Sequence, residues 1–209
     1  MATVDQGITR GHRKRARTRA QLIEAGLLVF ATRGEAMTVT DVTTKAGVSN
    51  GTFYNYFDDL DDLVLVLAEH VGVSIAEAAA AEPIDDPAAR FADATARVLV
   101  MAEVDPTWGR AFLQVAARPG SAGDMLRHAR ADLDRGHREG RFTLGPEPAA
   151  LDQLTGLVMM TIRRIVEGRG DNDTVIAAVA RGLESLGVTR AEALALAATA
   201  TTNARSRAA

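Results

Sequence analysis

Residues 38–57 of the chain, TVTDVTTKAGVSNGTFYNYF, decide the fold because they describe two short helices joined by a tight turn. Thr38 can cap the first helix, and Asp41 three residues later completes the pattern of a capping box. Gly47 follows the last residue of that helix, where glycine adopts the left-handed conformation most easily. Ser49 is placed to cap the second helix. The stretch therefore predicts a helix-turn-helix.

The second helix of this motif, at about 50–56, has an apolar and a polar face. Phe53 and Phe57 are four residues apart and predict the buried side. Helix-turn-helix proteins use the opposite face to contact base edges in the major groove. The alternative is a packed helical hairpin whose polar face is merely hydrated. That face carries uncharged hydrogen-bonding groups and one small residue that would let the backbone approach DNA: Asn50, Gly51, Thr52, Asn55 and Tyr56.

Basic charge is concentrated at the N-terminal end of an acidic chain. The sequence contains 24 Lys and Arg residues against 27 Asp and Glu, a net charge of −3. Residues 10–56 alone carry +5, so the rest of the chain carries −8. This distribution favours a phosphate-contacting surface near the motif; a basic tail that only improves solubility is the alternative. The arm expected to contact phosphates or a minor groove contains Arg13, Lys14, Arg15 and Arg17.

The order of residues from about 13 to 70 resembles the DNA-binding region of the TetR family of bacterial transcriptional regulators. This resemblance implies a three-helix DNA-binding head, followed by a more variable helical domain that binds a ligand and dimerises. It also implies which residues lie at the DNA: Thr38 and Thr40 beside it, Asn50, Gly51 and Thr52 against bases, and Tyr54, Asn55 and Tyr56 towards phosphates or bases.

One position departs from the family pattern. The family commonly has a lysine at the start of the fourth helix, where it meets a phosphate, whereas this chain has Leu60. Leu60 is flanked by Asp58, Asp59, Asp61 and Asp62. These carboxylates suit the positive end of a helix, and helix capping is a sufficient explanation for Asp59 and Asp62. Aspartates would also repel a phosphate backbone, so the departure concerns DNA affinity and leaves the fold intact.

Apolar residues recur with helical spacing along the whole chain, and no alternating strand pattern competes, so the predicted fold is all-α. We predict a DNA-binding domain over 13–72, a ligand-binding and dimerisation domain over 73–200, and flexible tails at 1–12 and 201–209. The predicted helices outside the motif cover 13–33, 59–81, 87–103, 105–117, 121–139, 148–167, 171–186 and a last one from residue 189.

Composition and motifs disfavour other classes of protein. The chain has no cysteine, which excludes disulfides, thiolate nucleophiles and cysteine-based zinc sites. No apolar run follows the N-terminal charges, and the run at 63–67 is too short to span a bilayer, so we expect a cytoplasmic protein without a membrane partner. Neither a Gly-x-Ser-x-Gly motif nor a phosphate-binding loop occurs, and we expect no catalytic residue, metal or cofactor. No pair at i, i+4 occurs among the four histidines, His12, His70, His128 and His137.

Two apolar stripes suggest a homodimer. A single recognition helix contacts few base pairs, whereas a dimer would bind both halves of a palindromic operator in double-stranded DNA. Two hairpins carrying these stripes could pack as a four-helix bundle. The alternative is that both stripes face the core of their own domain. The stripes contain Leu151, Leu154, Val158, Ile162 and Ile165 on one helix, and Ile176, Val179, Leu183 and Leu186 on the next.

The helices between residues 87 and 166 carry candidates for a pocket that binds a small hydrophobic effector. Methionine and aromatic residues at helical spacing also form ordinary core, which is the alternative. If a ligand binds best to a state of the dimer in which the distance between the two heads does not match the operator, it shifts the dimer off DNA. That the protein represses transcription is implied by the family resemblance alone. The rival function is sequence-nonspecific DNA binding. The candidate pocket residues are Phe91, Met101, Trp108, Phe112, Met125, His128 and Met159.

Overall fold

The computed structural model describes the backbone over residues 10–79, 84–118 and 122–209, and the side chains over 11–75, 84–118 and 129–209. All regular structure in these ranges is helical, which confirms the all-α prediction. A short 3-10 turn follows the first helix at Gly34–Ala36. The α helices are α1 (Arg10–Arg33), α2 (Val39–Ala46), α3 (Asn50–Phe53), α4 (Leu60–Ala79), α5 (Pro87–Val104), α6 (Pro106–Ala116), α7 (Ala122–Arg138), α8 (Pro148–Val166), α9 (Thr174–Ser185) and α10 (Arg190–Ala208).

The chain forms two compact units that divide inside α4. The first, which we call the head, ends at Leu67, and the second, the C-terminal unit, begins at Ala68. The division therefore falls within the same helix as the predicted boundary between residues 72 and 73.

The head packs α1, α2, α3 and the start of α4 around an aromatic core. Phe30 of α1, Phe53 of α3 and Phe57 are almost completely buried. Leu63, on the first turn of α4, fills the space beside Gly26 of α1, where an added Cβ would lie 3.0 Å from the leucine side chain. Packing of these longer helices against each other supports the two short helices of the motif.

In the C-terminal unit, α10 packs along α5 and α9. Small side chains on α10 let the helix axes approach closely. These buried alanines recur at helical spacing: Ala193, Ala197, Ala200 and Ala204.

The C-terminal tail, predicted to be flexible over 201–209, is part of α10 except for its last residue. Arg205 Nη2 lies 3.0 Å from Glu103 Oε1, and Arg207 Nη1 lies 3.2 Å from Asp93 Oδ1, so both arginines anchor α10 to α5. The prediction of a flexible tail is wrong for these residues, because the alanine-rich sequence has a high helix propensity and the charged hydrogen bonds hold its end.

Arg141 joins three parts of the C-terminal unit: the start of α5, the turn after α7 and the start of α10. Its Nε donates to Asp86 Oδ1 at 2.8 Å, and its Nη2 donates to Glu192 Oε1 at 2.6 Å. Asp86 also caps α5 by accepting from the backbone N–H groups of Ala88 and Ala89. The hydrogen bond from Arg141 holds the pKa of Asp86 below its usual value, and the backbone donors add to this effect.

The apolar stripes predicted to dimerise lie on α8 and α9, and most of their residues face the core of the chain itself. Leu151 and Leu154 are buried, whereas Val158, Ile165 and Ile176 are half-buried. Four further residues are 0% exposed and offer no surface to a partner, so the interface prediction is wrong for them because the same periodicity serves the internal core. These four are Ile162, Val179, Leu183 and Leu186.

Candidate nucleic-acid interface and ligand cavity

The predicted capping box closes the N-terminus of α2. The backbone N–H of Asp41 donates to Thr38 Oγ1 at 3.2 Å, and the backbone N–H of Thr38 donates to Asp41 Oδ2 at 3.0 Å. The hydrogen bond from the Thr38 hydroxyl lowers the pKa of Asp41 most, and the nearby charge of Arg33, whose Nη1 lies 3.2 Å from Asp41 Oδ2, lowers it further. The start of the motif is therefore held by two reciprocal hydrogen bonds and an ion pair.

The turn of the motif has the geometry that its sequence predicted. Gly47 has φ +69°, which is the left-handed conformation, and ends α2. The backbone N–H of Val48 then donates to the carbonyl oxygen of Thr43 at 3.0 Å. Ser49 caps α3 by accepting from the backbone N–H of Thr52 at 3.2 Å. Local hydrogen bonds thus determine the angle at which α3 leaves α2.

Asn50, predicted to face bases, is held by hydrogen bonds to α2. Its side-chain oxygen accepts from the Thr43 hydroxyl at 2.5 Å, and its Nδ2 donates to Thr40 Oγ1 at 3.3 Å. Thr43 is buried, whereas Thr40 and Asn50 are exposed. Two polar residues predicted to lie at the DNA are therefore linked to each other, and the buried hydroxyl orients the amide between them.

The outer face of α3 is open to solvent. A Cβ added to Gly51 would meet only the Ser49 hydroxyl oxygen, at 3.9 Å. Tyr54 is 58% exposed and packs edge-on against Phe53, with ring centroids 5.4 Å apart. Asn55 is also exposed, and the predicted contacts Thr52 and Tyr56 are half-buried. This face combines hydrogen-bonding side chains with a position where the backbone itself is accessible.

The basic arm is helical and packs beside the residues that follow α3. α1 begins at Arg10, so residues 10–12 of the predicted N-terminal tail are helical, whereas residues 1–9 lie outside the described residues. The Arg15 guanidinium lies 5.6 Å from the centre of the Tyr56 ring and donates to the carbonyl oxygen of Asn55 at 3.3 Å. Arg19, which the sequence interpretation missed, lies 5.6 Å from the centre of the Phe57 ring, one helical turn after Arg15. Arg13, Lys14 and Arg17 are exposed on the same helix.

The aspartates around Leu60 cap α4, as expected from the sequence. The backbone N–H of Asp62 donates to Asp59 Oδ1 at 2.9 Å, and the backbone N–H of Asp58 donates to Asp62 Oδ2 at 3.3 Å. Leu60, the first residue of α4, is half-buried. The carboxylates therefore satisfy N–H groups at the start of the helix.

The C-terminal unit contains a cavity of about 140 Å³. Phe91 of α5 and Phe112 of α6, both predicted as pocket residues, lie on its wall. Leu151, Leu154 and Val158 of α8, predicted for the dimer interface, lie there as well. Among the residues whose side chains the structure describes, the wall also contains Ile75, Ala94, Thr95, Val98, Ala129, Asp132, Thr155 and Leu157.

Three predicted pocket residues are not on this wall. Met159 follows Val158, and adjacent residues on a helix point about 100° apart. Met101 lies on the turn of α5 beyond Val98, and Trp108 is buried one turn before Phe112, with ring centroids 5.5 Å apart. The pocket prediction is corrected for these three residues. The side chains of Met125 and His128 lie outside the described residues.

Three polar residues on the wall were missed by the sequence interpretation: Thr95, Asp132 and Thr155. Thr155 Oγ1 is buried and has no hydrogen-bond partner among the side chains that the structure describes. Asp132 Oδ1 accepts from Arg90 Nε at 2.7 Å. The signal for Thr155 was its position between Leu154 and Val158 on one face of α8, but periodicity alone cannot separate a cavity wall from packed core.

Within the described ranges, none of the helices is both long and apolar enough to cross a membrane. No group of three His, Asp or Glu side chains in those ranges is arranged to hold a metal ion.

The capped helix-turn-helix and the helical unit that follows it define a class of helical DNA-binding protein. The model of the family described as bacterial regulatory proteins, tetR family, matches residues 22–67. RolR, solved in complex with the ligand resorcinol, is 30% identical, and the similarity covers 88% of this chain and 95% of RolR with a TM-score of 0.60. The chain belongs to the tetR family of bacterial regulatory proteins.

Other relatives are similar over part of the chain or in fold alone. The HTH-type transcriptional repressor LfrR of Mycolicibacterium smegmatis is 34% identical over 92 residues, which is 44% of this chain and 46% of LfrR. The chain therefore matches about half the length of this relative. A gamma-butyrolactone receptor, described as ArpA-like, shares the fold at 20% identity, with a TM-score of 0.70 over 91% of this chain and 99% of the receptor.

Proposed function

We propose that the protein is a dimeric transcriptional repressor that binds a palindromic operator and releases it when a small apolar effector occupies the cavity. The observation that carries the DNA part of the proposal is the exposed, uncharged face of α3, held at a fixed angle beside basic α1. Bacterial DNA lies in the cytoplasm, so we place the protein there.

The head divides phosphate binding from base recognition. Arg13, Lys14 and Arg17 are exposed on α1 and supply positive charge that attracts phosphates without distinguishing sequences. Gly51 and Asn55 are uncharged and exposed, which suits hydrogen bonding to base edges and close approach of the backbone. Arg15 packs on Tyr56 and so supports the turn that follows α3 as well as adding charge.

Selection of bound fragments from random duplex DNA at near-physiological salt tests this function. We expect enrichment of a short inverted repeat with half-sites about one helical turn apart, as paired helix-turn-helix heads require. Binding without an enriched sequence, and lost as salt rises, would instead support the rival function of nonspecific DNA binding.

The dimer proposal rests on the apolar surface that the core leaves exposed on α8. Met160 is 58% exposed, and Gly156, four residues earlier on the same face, has no atom within 4 Å of an added Cβ. A large exposed apolar side chain beside a small residue suits helix packing against a second copy. We expect Met160→Arg to give a monomer in light scattering at micromolar concentration. Leu194→Arg, a matched change at an exposed leucine of α10, should remain dimeric.

The effector proposal draws on the cavity and on the relatives. RolR was solved with resorcinol, and LfrR is named a repressor, which supports ligand response and repression in this chain. The described residues that line the cavity all belong to the C-terminal unit, so an effector would act by favouring a state of the protein that binds DNA less well. The test is release of the selected DNA fragment by a panel of small aromatic and aliphatic compounds.

A further inference from the structure

The size of the cavity limits what can occupy it. Its volume is about 140 Å³, and apolar side chains such as Phe91, Phe112 and Leu154 supply most of the wall. A cavity of about 150 Å³ with a comparable apolar lining holds one benzene molecule. The cavity therefore accommodates a compound with a single six-membered ring or a group of similar volume.

Thr155 on the cavity wall has a buried hydroxyl without a hydrogen-bond partner among the described side chains, which favours an occupant with a polar group. A buried hydroxyl that has lost its water partners destabilises the protein until something pairs with it. Because Thr155 Oγ1 is itself buried, the side chain has to rotate about χ1 to present its hydroxyl to the cavity, where the hydroxyl can donate to or accept from a ligand hydroxyl or amine.

Asp132 on the cavity wall affects which net charge the occupant can carry and whether it has to donate a hydrogen bond. One carboxylate oxygen of Asp132 accepts from Arg90 Nε at 2.7 Å, and a carboxylate can accept further hydrogen bonds through its other lone pairs. An ionised carboxylate only accepts hydrogen bonds, so a ligand that uses it has to donate. Because the ion pair with Arg90 balances the charge of Asp132, a charged occupant of either sign would lose its hydration without gaining a counter-charge, which favours a neutral one.

We infer that the effector is a neutral single-ring compound bearing a hydroxyl or amino donor, which pairs with Thr155 and Asp132 while the ring packs between Phe91 and Phe112. This inference rests on the proposed function of the cavity as the effector site. In a purely apolar site the fit of the ring would select among ligands, whereas in this cavity the polar group of the ligand provides the selectivity.

The probes are phenol, benzene and benzoate, with binding followed by the fluorescence of Trp108 and by calorimetry. Trp108 is the single tryptophan of the chain and packs against the cavity residue Phe112. We expect phenol to bind at least tenfold more tightly than benzene, and benzoate to bind more weakly than phenol at pH 7. Equal affinities for phenol and benzene would overturn the inference.

The two hydroxyl-to-methyl variants Thr155→Val and Thr201→Val form a matched pair. Thr201 Oγ1 is also buried without a partner in the described part of the chain, but Thr201 lies on α10 and is not on the cavity wall. Thr155→Val should weaken phenol binding at least fivefold and leave benzene binding unchanged, while Thr201→Val should change neither. Asp132→Asn should likewise weaken phenol binding without weakening benzene. Unchanged phenol binding in Thr155→Val and Asp132→Asn would overturn the assignment of both groups.

Binding to the selected DNA fragment, measured on the same preparations, separates this inference from the proposed function. If the wild-type protein binds an inverted repeat but does not distinguish phenol from benzene, the ligand class is wrong and the regulatory function stands. If phenol binds as expected but no DNA sequence is enriched, the DNA-binding function is wrong and the ligand class stands.

Discussion

The head and the C-terminal unit are each stabilised internally, and the interactions that contribute differ between them. In the head, the motif depends on hydrogen bonds between residues close in sequence, such as Thr38 with Asp41. In the C-terminal unit, ion pairs such as Arg205 with Glu103 join helices about a hundred residues apart in the chain. Short-range caps determine the shape of a small surface in the head, whereas the long-range pairs join the helices of the C-terminal unit, whose residues line the cavity described above.

Individual glycines of the two units illustrate different uses of this residue. In the head, Gly47 supplies a backbone conformation and Gly51 leaves the surface of α3 open. In the C-terminal unit, Gly136 of α7 allows Phe142 to lie against the helix, since an added Cβ would be 2.1 Å from a ring carbon. Substitution by alanine at these positions therefore tests the comparison directly.

The largest expected effect is on the C-terminal unit. Gly136→Ala should lower the free energy of unfolding by about 3 kcal/mol, because the buried ring of Phe142 has to move. Chemical denaturation measures this change. The control is Gly72→Ala in α4, where no atom lies within 4 Å of an added Cβ and alanine should be neutral or stabilising. Equal stability of the two variants would mean that Phe142 does not need this close approach.

Gly47→Ala should have a smaller effect, on the head. The methyl group meets no atom within 4 Å, so the cost comes from the left-handed backbone and should be about 1–2 kcal/mol. Hydrogen-exchange mass spectrometry should show faster exchange in peptides from α2 and α3. If these peptides kept the wild-type protection from exchange, the left-handed conformation of residue 47 would not be needed to terminate α2.

Gly51→Ala separates DNA contact from stability. The added methyl group has only Ser49 Oγ nearby, so the melting temperature should be unchanged or slightly higher. Affinity for the selected DNA fragment should nevertheless fall about tenfold, or ~1.4 kcal/mol, because the backbone can no longer approach the bases. Wild-type affinity in this variant would contradict the placement of α3 in the groove.

Leu60→Lys should give the smallest effect and should strengthen binding. A lysine at the start of α4 would add a phosphate contact, so affinity should rise by a similar factor for selected and unrelated DNA. The slope of log affinity against log salt should steepen by about 0.9 per contact. Weaker or unchanged binding at matched salt would show that the neighbouring aspartates, which cap α4, keep this position away from the backbone.

The features predictable from the sequence were those formed by neighbouring residues. The capping box at Thr38, the left-handed Gly47 and the helical class all follow from local chemistry and were confirmed. The packing of Arg15 on Tyr56 was not predictable, because it depends on how α1 crosses the motif. For Leu154 and Val158, periodicity identified the apolar face of α8 but not what that face contacts, and the structure places both on the cavity wall.

The central claim is that the α3 face distinguishes DNA sequences while the basic α1 binds any DNA. The most direct test is the affinity of the full chain for the selected fragment and for a scrambled duplex across a series of salt concentrations. We predict similar salt slopes for the two duplexes and an affinity for the selected fragment that is about 10³-fold or more higher at every salt concentration. Equal affinities across the series would contradict the claim and leave only charge-driven binding.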